Sequence, residues 1–145
     1  MLKSAGLNRP KNTAQQTRDF VTGHAFNHLI GVELLRIHRD GVTLRCQVRK
    51  ELLNSAGVLH GGVAASLADA AVGSALHHHY PERRPFTTVE LKINYFRPVS
   101  EGCLVARSRL LRVGSSISVG QVDLTDGQRR DVGVAICTYM FLGHR

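Results

Sequence analysis

The sequence predicts an α+β domain in which a long antiparallel sheet wraps around a single central helix. One helical stretch of mostly small residues, between residues 61 and 76, separates two groups of strand-like segments. The second group comprises four such segments joined by short turns, a pattern typical of antiparallel sheets. With 145 residues, 43% of them hydrophobic, the chain is large enough to form one domain with a substantial core.

The N-terminal region is expected to contribute one helix. Residues 1–13 are predicted to be irregular, and Thr13 is a suitable N-cap for a helix that ends near Asn27. His24 and His28 are four residues apart, a spacing that suits a metal ion. The sequence offers them no third ligand, so no metal site is predicted.

A strand hairpin is predicted next. Residues 29–37 are expected to form a strand, and Asp40-Gly41 is a dipeptide typical of a tight hairpin turn. The return strand alternates apolar and polar side chains. This alternation places one face of the strand in the core, with the side chains of Val42, Leu44, Cys46 and Val48.

The central stretch is a loop that turns at Gly61-Gly62 and continues as a helix, in which Val63, Leu67, Ala70 and Ser74 recur at helical spacing. One carboxylate, Asp69, lies in the middle of this helix, and an ionised carboxylate is costly to bury without a partner. The two glycines leave first-turn N–H groups open at the positive end of the helix dipole. Donors and a carboxylate on one element indicate chemistry at a polarised carbonyl.

The rest of the chain is predicted to be strands. Gly114-Ser115 and Asp126-Gly127 are turn dipeptides. They help to delimit four strand-like segments, residues 86–97, 103–113, 115–125 and 130–142. The element order is therefore one helix, two strands, one long helix and four strands, and the predicted fold follows from that order.

Composition limits the possible partners. The formal charge of +8 favours a polyanion, either nucleic acid or a phosphorylated small molecule. The basic residues are scattered with few aromatic residues among them, so no nucleic-acid partner is predicted. No apolar run is long enough to span a bilayer, and no membrane partner is predicted. The three cysteines form no CxxC pair and are interpreted as reduced core thiols of a cytoplasmic protein.

Several motifs together resemble the PaaI-like acyl-CoA thioesterases of the hotdog fold. They are Asn54, His60-Gly61-Gly62, Leu67-Ala68-Asp69, the run from Thr87 to Leu91 and the run from Asn94 to Pro98. The resemblance covers residues 26–142. It implies a sheet curled around a central helix, with two subunits pairing edge to edge. We assign residues 1–25 to an N-terminal extension and helix, and residues 26–145 to the hotdog domain.

The resemblance also implies roles for individual residues. Asp69 matches the catalytic carboxylate, acting as a nucleophile or as a general base on water, and Gly61 matches the residue whose N–H polarises the thioester carbonyl. His60 and Asn54 match residues that shape the loop and hold the thioester or the attacking water. Thr87 matches a hydroxyl residue that helps to place this water in some members.

Spacing adds an expectation about assembly. Asp69 follows Gly61 by eight residues, so their α-carbons should lie about 12 Å apart along the helix. One thioester carbon cannot easily contact both groups of the same chain, and each site should therefore combine two subunits of a homodimer or a dimer of dimers.

One relative in the family that the sequence resembles has a hydroxyl residue one helical turn after its catalytic acid. Gly73 occupies that position here, so no helix hydroxyl is expected to take part.

The substrate's coenzyme A is the anionic group that the basic residues are expected to bind. The candidates are Arg97, Arg112, Arg83 and Arg84, since arginine suits bidentate phosphate contacts, together with backbone N–H groups of Gly114 and Ser115. No separate cofactor is implied. The sequence leaves open whether the acyl group is aliphatic or aryl, and the alternative function is a hotdog module that binds acyl-CoA without hydrolysing it.

Overall fold

The computed structural model describes residues 11–81 and 85–143. Two short N-terminal helices and a longer one accompany six strands. The elements in chain order are α1 (Ala14–Gly23), α2 (Ala25–Ile30), β1 (Val32–His38), β2 (Gly41–Gln47), a 3₁₀ turn (Lys50–Leu52), α3 (Gly61–His79), β3 (Phe86–Tyr95), β4 (Cys103–Val113), β5 (Ile117–Asp126) and β6 (Asp131–Phe141).

The six strands form one antiparallel sheet in the order β1-β2-β4-β5-β6-β3, so β1 and β3 are its edges. Helix α3 packs across one face of this sheet and is buried for most of its length. The predicted α+β hotdog architecture is confirmed. Six side chains with almost no solvent exposure form the centre of the core: Leu44, Leu67, Val72, Leu76, Leu104 and Val122. Burying each stabilises the fold by about 1.5–3 kcal/mol.

The prediction of a single N-terminal helix was wrong at its C-terminal end. Thr13 does cap a helix, in a capping box with Gln16, but α1 ends at Gly23 and His24 adopts an extended backbone. The chain then forms α2, which Gly31 ends in the left-handed conformation with φ of 78°. Glycine is a poor helix former, which is consistent with the end of α1 at Gly23. Helix α2 includes the first two residues of the predicted strand, so β1 begins later than predicted, at Val32.

Helix α1 is attached to the C-terminal end of α3. Its Thr17 hydroxyl lies 2.8 Å from Nδ1 of His78 in a buried contact, and the Phe20 ring stacks on the ring of His77 with centroids 3.9 Å apart. Val21, which also belongs to α1, is fully buried. These contacts fix the position of α1 beside the central helix; the domain boundary at residue 25 remains a prediction.

The strand predictions agree with the structure more closely. The hairpin of β1 and β2 turns at His38 and Gly41, which are paired, and Cys46 is buried as predicted. Burial and the charge of Asp69 raise the pKa of the Cys137 thiol to about 12, as expected of an unreactive core thiol. None of the described helices is both long and apolar enough to cross a membrane.

Candidate active site

Asp69 lies half-buried in the middle of α3, where two hydroxyl groups contact its side chain. The Thr88 hydroxyl on β3 donates to Oδ1 of Asp69 at 2.7 Å. The Tyr139 phenol on β6 donates to the same oxygen at 2.8 Å. Oδ2 accepts no hydrogen bond from the described residues. The carboxylate is thus oriented through one oxygen, while its other oxygen has no protein donor within residues 11–81 and 85–143.

The Tyr139 side chain is itself held firmly. It is 5% exposed, and its ring contacts the edge of Phe86 at a centroid distance of 5.5 Å. Burial, and then the negative charge of Asp69, raise the pKa of the Tyr139 phenol. The phenol therefore keeps its proton at neutral pH and acts as a donor.

Thr88, and not its neighbour Thr87, is the threonine whose hydroxyl contacts Asp69 of its own chain. Successive strand residues point to opposite faces of a sheet. Thr88 pairs with Tyr139 and shares its inward orientation, whereas Thr87 pairs with the exposed Met140 on the outer face. The expected role of Thr87 in placing the water is not tested by these contacts and remains a prediction.

The glycine turn begins α3 as predicted. His60 is the N-cap residue, and its Nδ1 accepts a hydrogen bond from the Gly62 N–H at 2.9 Å. The Gly61 N–H donates to no acceptor among the residues that the structure describes. The Tyr95 phenol donates to the Gly61 carbonyl oxygen at 2.6 Å. An N–H without a partner at a helix start is suited to polarising a substrate carbonyl.

The loop before this turn is organised by Asn54. Its side-chain oxygen accepts hydrogen bonds from the N–H groups of Ala56 at 2.9 Å and Val58 at 3.3 Å. The loop is anchored further along the chain, where the Leu59 N–H donates to the Val99 carbonyl oxygen at 2.7 Å. These bonds agree with the expected loop-shaping role of Asn54, and its role towards substrate remains a prediction.

Gly61 and Asp69 lie far apart on the same helix. Helix α3 is unbroken from Gly61 to His79, so eight residues at 1.5 Å each separate the two α-carbons by about 12 Å. The residues around Asp69 include neither Gly61 nor His60. Within one subunit, the structure does not bring the predicted donor and the predicted carboxylate together.

An open pocket of about 190 Å³ adjoins Asp69. The helices α1 and α2 form one wall, α3 forms the floor, and β3 and β6 contribute one aromatic residue each. The lining residues are Phe20, His24, Phe26, Asn27, Ser66, Asp69, Ala70, Gly73, Ser74, Phe86 and Tyr139. The sequence placed several of these residues on helices but gave no sign that α1 and α2 lie against Asp69, since such contacts depend on tertiary packing.

The residues predicted to contact coenzyme A differ in their exposure and in their hydrogen bonds. Arg97 and Arg112 are exposed, and within the described residues neither guanidinium forms an ion pair. The Gly114 N–H donates to the Ile117 carbonyl oxygen at 2.9 Å. The turn itself thus uses this N–H, and its expected contact with phosphate or pantetheine remains a prediction. Ser115 follows in the same turn, and Arg83 and Arg84 lie outside the described residues.

Comparison with known proteins agrees with the fold. The profile of the thioesterase superfamily matches residues 56–132. The medium/long-chain acyl-CoA thioesterase YigI of Escherichia coli is 32% identical over 136 residues, covering 83% of this chain and 88% of that protein. A putative esterase of Halobacterium salinarum is 28% identical over 134 residues, covering 85% and 88%.

Solved structures show the same fold. A conserved protein from Pseudomonas aeruginosa is 27% identical and superposes with a TM-score of 0.79, covering 90% of this chain and 100% of that chain. The PaaI protein of the Escherichia coli phenylacetic acid degradation operon is 20% identical, also with a TM-score of 0.79, covering 89% and 92%. The second likeness concerns the fold alone.

Proposed function

The chain belongs to the thioesterase superfamily and is a thioester hydrolase, and from this premise we propose that it cleaves acyl-CoA to the free acid and coenzyme A, with Asp69 as the catalytic carboxylate. The observation that carries the assignment is the carboxylate itself. It lines an open pocket, two hydroxyls orient one of its oxygens, and the other oxygen has no donor among the described residues.

The chemistry requires a carboxylate and a hydrogen-bond donor. In one route, Asp69 removes a proton from water as the water oxygen attacks the thioester carbon. In the other, Asp69 attacks directly and water then hydrolyses the acyl-enzyme anhydride. In both routes the carbon–sulfur bond breaks and the coenzyme A sulfur leaves as a thiolate, which takes up a proton. The Gly61 N–H stabilises the charge on the carbonyl oxygen, and such a donor is typically worth about 10²–10³ in rate.

We propose that the Gly61 donor and the Asp69 carboxylate of each site come from two subunits. The length of α3 between them supports this, as does the sheet edge at β3, whose one partner among the described strands is β6. Three large apolar side chains on or beside this strand are at least half exposed: Val89, Tyr95 and Phe96. An open apolar edge readily pairs with another strand, so a homodimer joined through β3 is the proposed assembly.

The acyl group is proposed to be an aliphatic chain of medium or long length. The walls of the pocket beside Asp69 are largely apolar, from Phe20, Phe26, Ala70 and Phe86. A relative with 32% identity is named a medium/long-chain acyl-CoA thioesterase. Aryl-CoA substrates remain the alternative, since aromatic walls also suit a ring, and the assay below distinguishes the two.

The coenzyme A phosphates are proposed to contact Arg97. The segment after β3 lies against the glycine turn, since the Val99 carbonyl accepts the Leu59 N–H. Arg97 is therefore close to the Gly61 end of α3, and its guanidinium has no ion-pair partner in the described part of the chain. Arg112 is a second candidate at the end of β4.

The function is tested by incubating the purified protein with a panel of acyl-CoAs and aryl-CoAs and following coenzyme A release with a thiol reagent. We expect hydrolysis of medium- and long-chain substrates, and a loss of at least about 100-fold in kcat for Asp69→Asn. Asp131→Asn is the matched control, because Asp131 is exposed at the start of β6. Tight binding of acyl-CoA without turnover by the wild type would support the non-catalytic binding module instead.

A further inference from the structure

We propose that Tyr139 is a positioning residue for Asp69, which it holds with Oδ2 as the reacting oxygen, and that glycine at residue 73 leaves room for the Tyr139 hydroxyl. This inference rests on the proposed function of Asp69. It assigns to β6 a hydroxyl that the sequence did not predict, because nothing in the local pattern of β6 connects Tyr139 to a helix residue 70 positions earlier.

The first argument is the hydrogen-bond geometry. The Tyr139 oxygen lies 2.8 Å from Oδ1 of Asp69 and 2.7 Å from its main-chain carbonyl oxygen. The phenol has one hydrogen, which these two acceptors share, and both acceptors belong to one residue, so the contact relates the Asp69 side chain to its own backbone. Thr88 donates to Oδ1 as well, at 2.7 Å. With two donors on Oδ1, the carboxylate cannot rotate without losing both hydrogen bonds.

The second argument is rigidity. Tyr139 lies on β6, between β5 and β3, and its ring is packed against Phe86. Because a strand with neighbours on both sides cannot shift easily, the phenol is a fixed donor rather than a mobile one. A preorganised donor of this kind orients a carboxylate without reorganising during the reaction.

The third argument is the space at Gly73. A β-carbon at this position would lie 3.1 Å from the Tyr139 oxygen, and 3.6 Å from both Cζ of Tyr139 and Cε2 of Phe86. A side chain at residue 73 would therefore press on the phenol, which would have to shift by a few tenths of an ångström. Residue 73 is also one helical turn after Asp69, so a hydroxyl there would face the carboxylate. Tyr139 from the sheet and a hydroxyl at residue 73 therefore compete for the same space beside Asp69.

Tyr139→Phe is the direct test, because phenylalanine keeps the ring packing and removes only the hydroxyl. We expect kcat for the preferred acyl-CoA to fall about tenfold with KM changed by less than about twofold, as for an interaction that acts in the transition state. Ser108→Ala is the matched control. Its buried hydroxyl also joins the sheet to α3, donating to the Ala71 carbonyl at 2.9 Å, but it does not contact Asp69. This control should lower the melting temperature and leave kcat unchanged.

Gly73→Ser gives a second test, because it should change kcat in opposite directions in the wild type and in the Tyr139→Phe variant. In the wild type it should lower kcat, because the new side chain displaces the Tyr139 hydroxyl. In Tyr139→Phe it should raise kcat severalfold, because the space is free and the serine hydroxyl reaches Asp69. Gly73→Ala should lower kcat in the wild type and have no effect in Tyr139→Phe, so the two changes are non-additive. If Tyr139→Phe fails to fold, Gly73→Ala in the wild type alone tests the displacement.

The outcomes separate the two proposals. An active wild type whose Tyr139→Phe variant melts earlier but retains its kcat would show a structural anchor only and overturn this inference. Equal effects of Gly73→Ser in both backgrounds would overturn it too. A wild type no faster than Asp69→Asn would overturn the proposed function itself, and the inference with it.

Discussion

Mixed dimers provide the sharpest test of a site shared between subunits. Two variants are needed, each lacking one group: Asp69→Asn removes the carboxylate, and Gly61→Pro removes the N–H donor. Proline suits this position, since it is favoured as the first residue of a helix. The preceding His60 has φ of −60° and ψ of 133°, a conformation that residues before proline prefer. The lost N–H has no acceptor among the described residues, so the helix should form normally.

The expected magnitude follows from the geometry of α3. Each homodimeric variant should lose at least about 100-fold in kcat, because both of its sites lack one group. In a heterodimer of the two variants, the intact Gly61 and the intact Asp69 meet in one site, and both defects fall in the other. One site of two is then functional, and activity per dimer should return to about half of the wild-type value.

The assay uses two affinity tags and co-expression, so that only heterodimers are purified before coenzyme A release is measured. Gly61→Ala is the steric control, since it keeps the N–H but adds a β-carbon 3.0 Å from the Tyr95 oxygen. If both groups acted within one chain, the heterodimer would contain no intact site and would stay as slow as its parents. That result would refute the argument from the length of α3.

Three further predictions concern pH, thiol reactivity and coenzyme A binding. Burial, with the nearby charges of Lys11 and His78, lowers the pKa of His79 to about 4. The folded state therefore binds fewer protons than the unfolded state below about pH 6.5, and stability should fall by about 2 kcal/mol between pH 7.5 and pH 5, measured by denaturant unfolding. The Cys137 thiol, with its pKa of about 12, should react with a disulfide reagent only after unfolding; rapid labelling of the native protein at this residue would contradict its burial. Arg97→Ala should raise KM for acyl-CoA severalfold at low salt but leave KM for an acyl-pantetheine without phosphates unchanged, with Arg45→Ala, whose guanidinium pairs with Glu33, as the control.

Most of the fold could be predicted because its signals are local. The Asp40-Gly41 turn and the alternation along β2 depend on neighbouring residues only, and both predictions are confirmed. The break at His24 was missed because the apolar spacing of α1 and α2 is compatible with one continuous helix. Backbone preference at Gly23 ended the first helix, and sequence periodicity does not detect such an interruption.

The candidate site was predictable only on α3. His60, Gly61 and Asp69 belong to one segment with recognisable spacing, and the structure places all three on the helix or at its cap. The partners of Asp69 lie on strands far along the chain, so their identity depends on strand register. A register error of one residue reverses the face of a strand, so the sequence alone did not identify Thr88 and Tyr139 as these partners.

The two short N-terminal helices have a consequence for how this chain can diversify. Their residues Phe20 and Phe26 form a wall of the pocket, whereas the groups that orient the carboxylate belong to α3, β3 and β6. If this pocket holds the acyl chain as proposed, substitutions in the segment from Ala14 to Ile30 should change its size and shape and leave the hydrogen bonds of Asp69 in place. Under the proposed function, substrate range and catalysis would then depend on different segments of the chain.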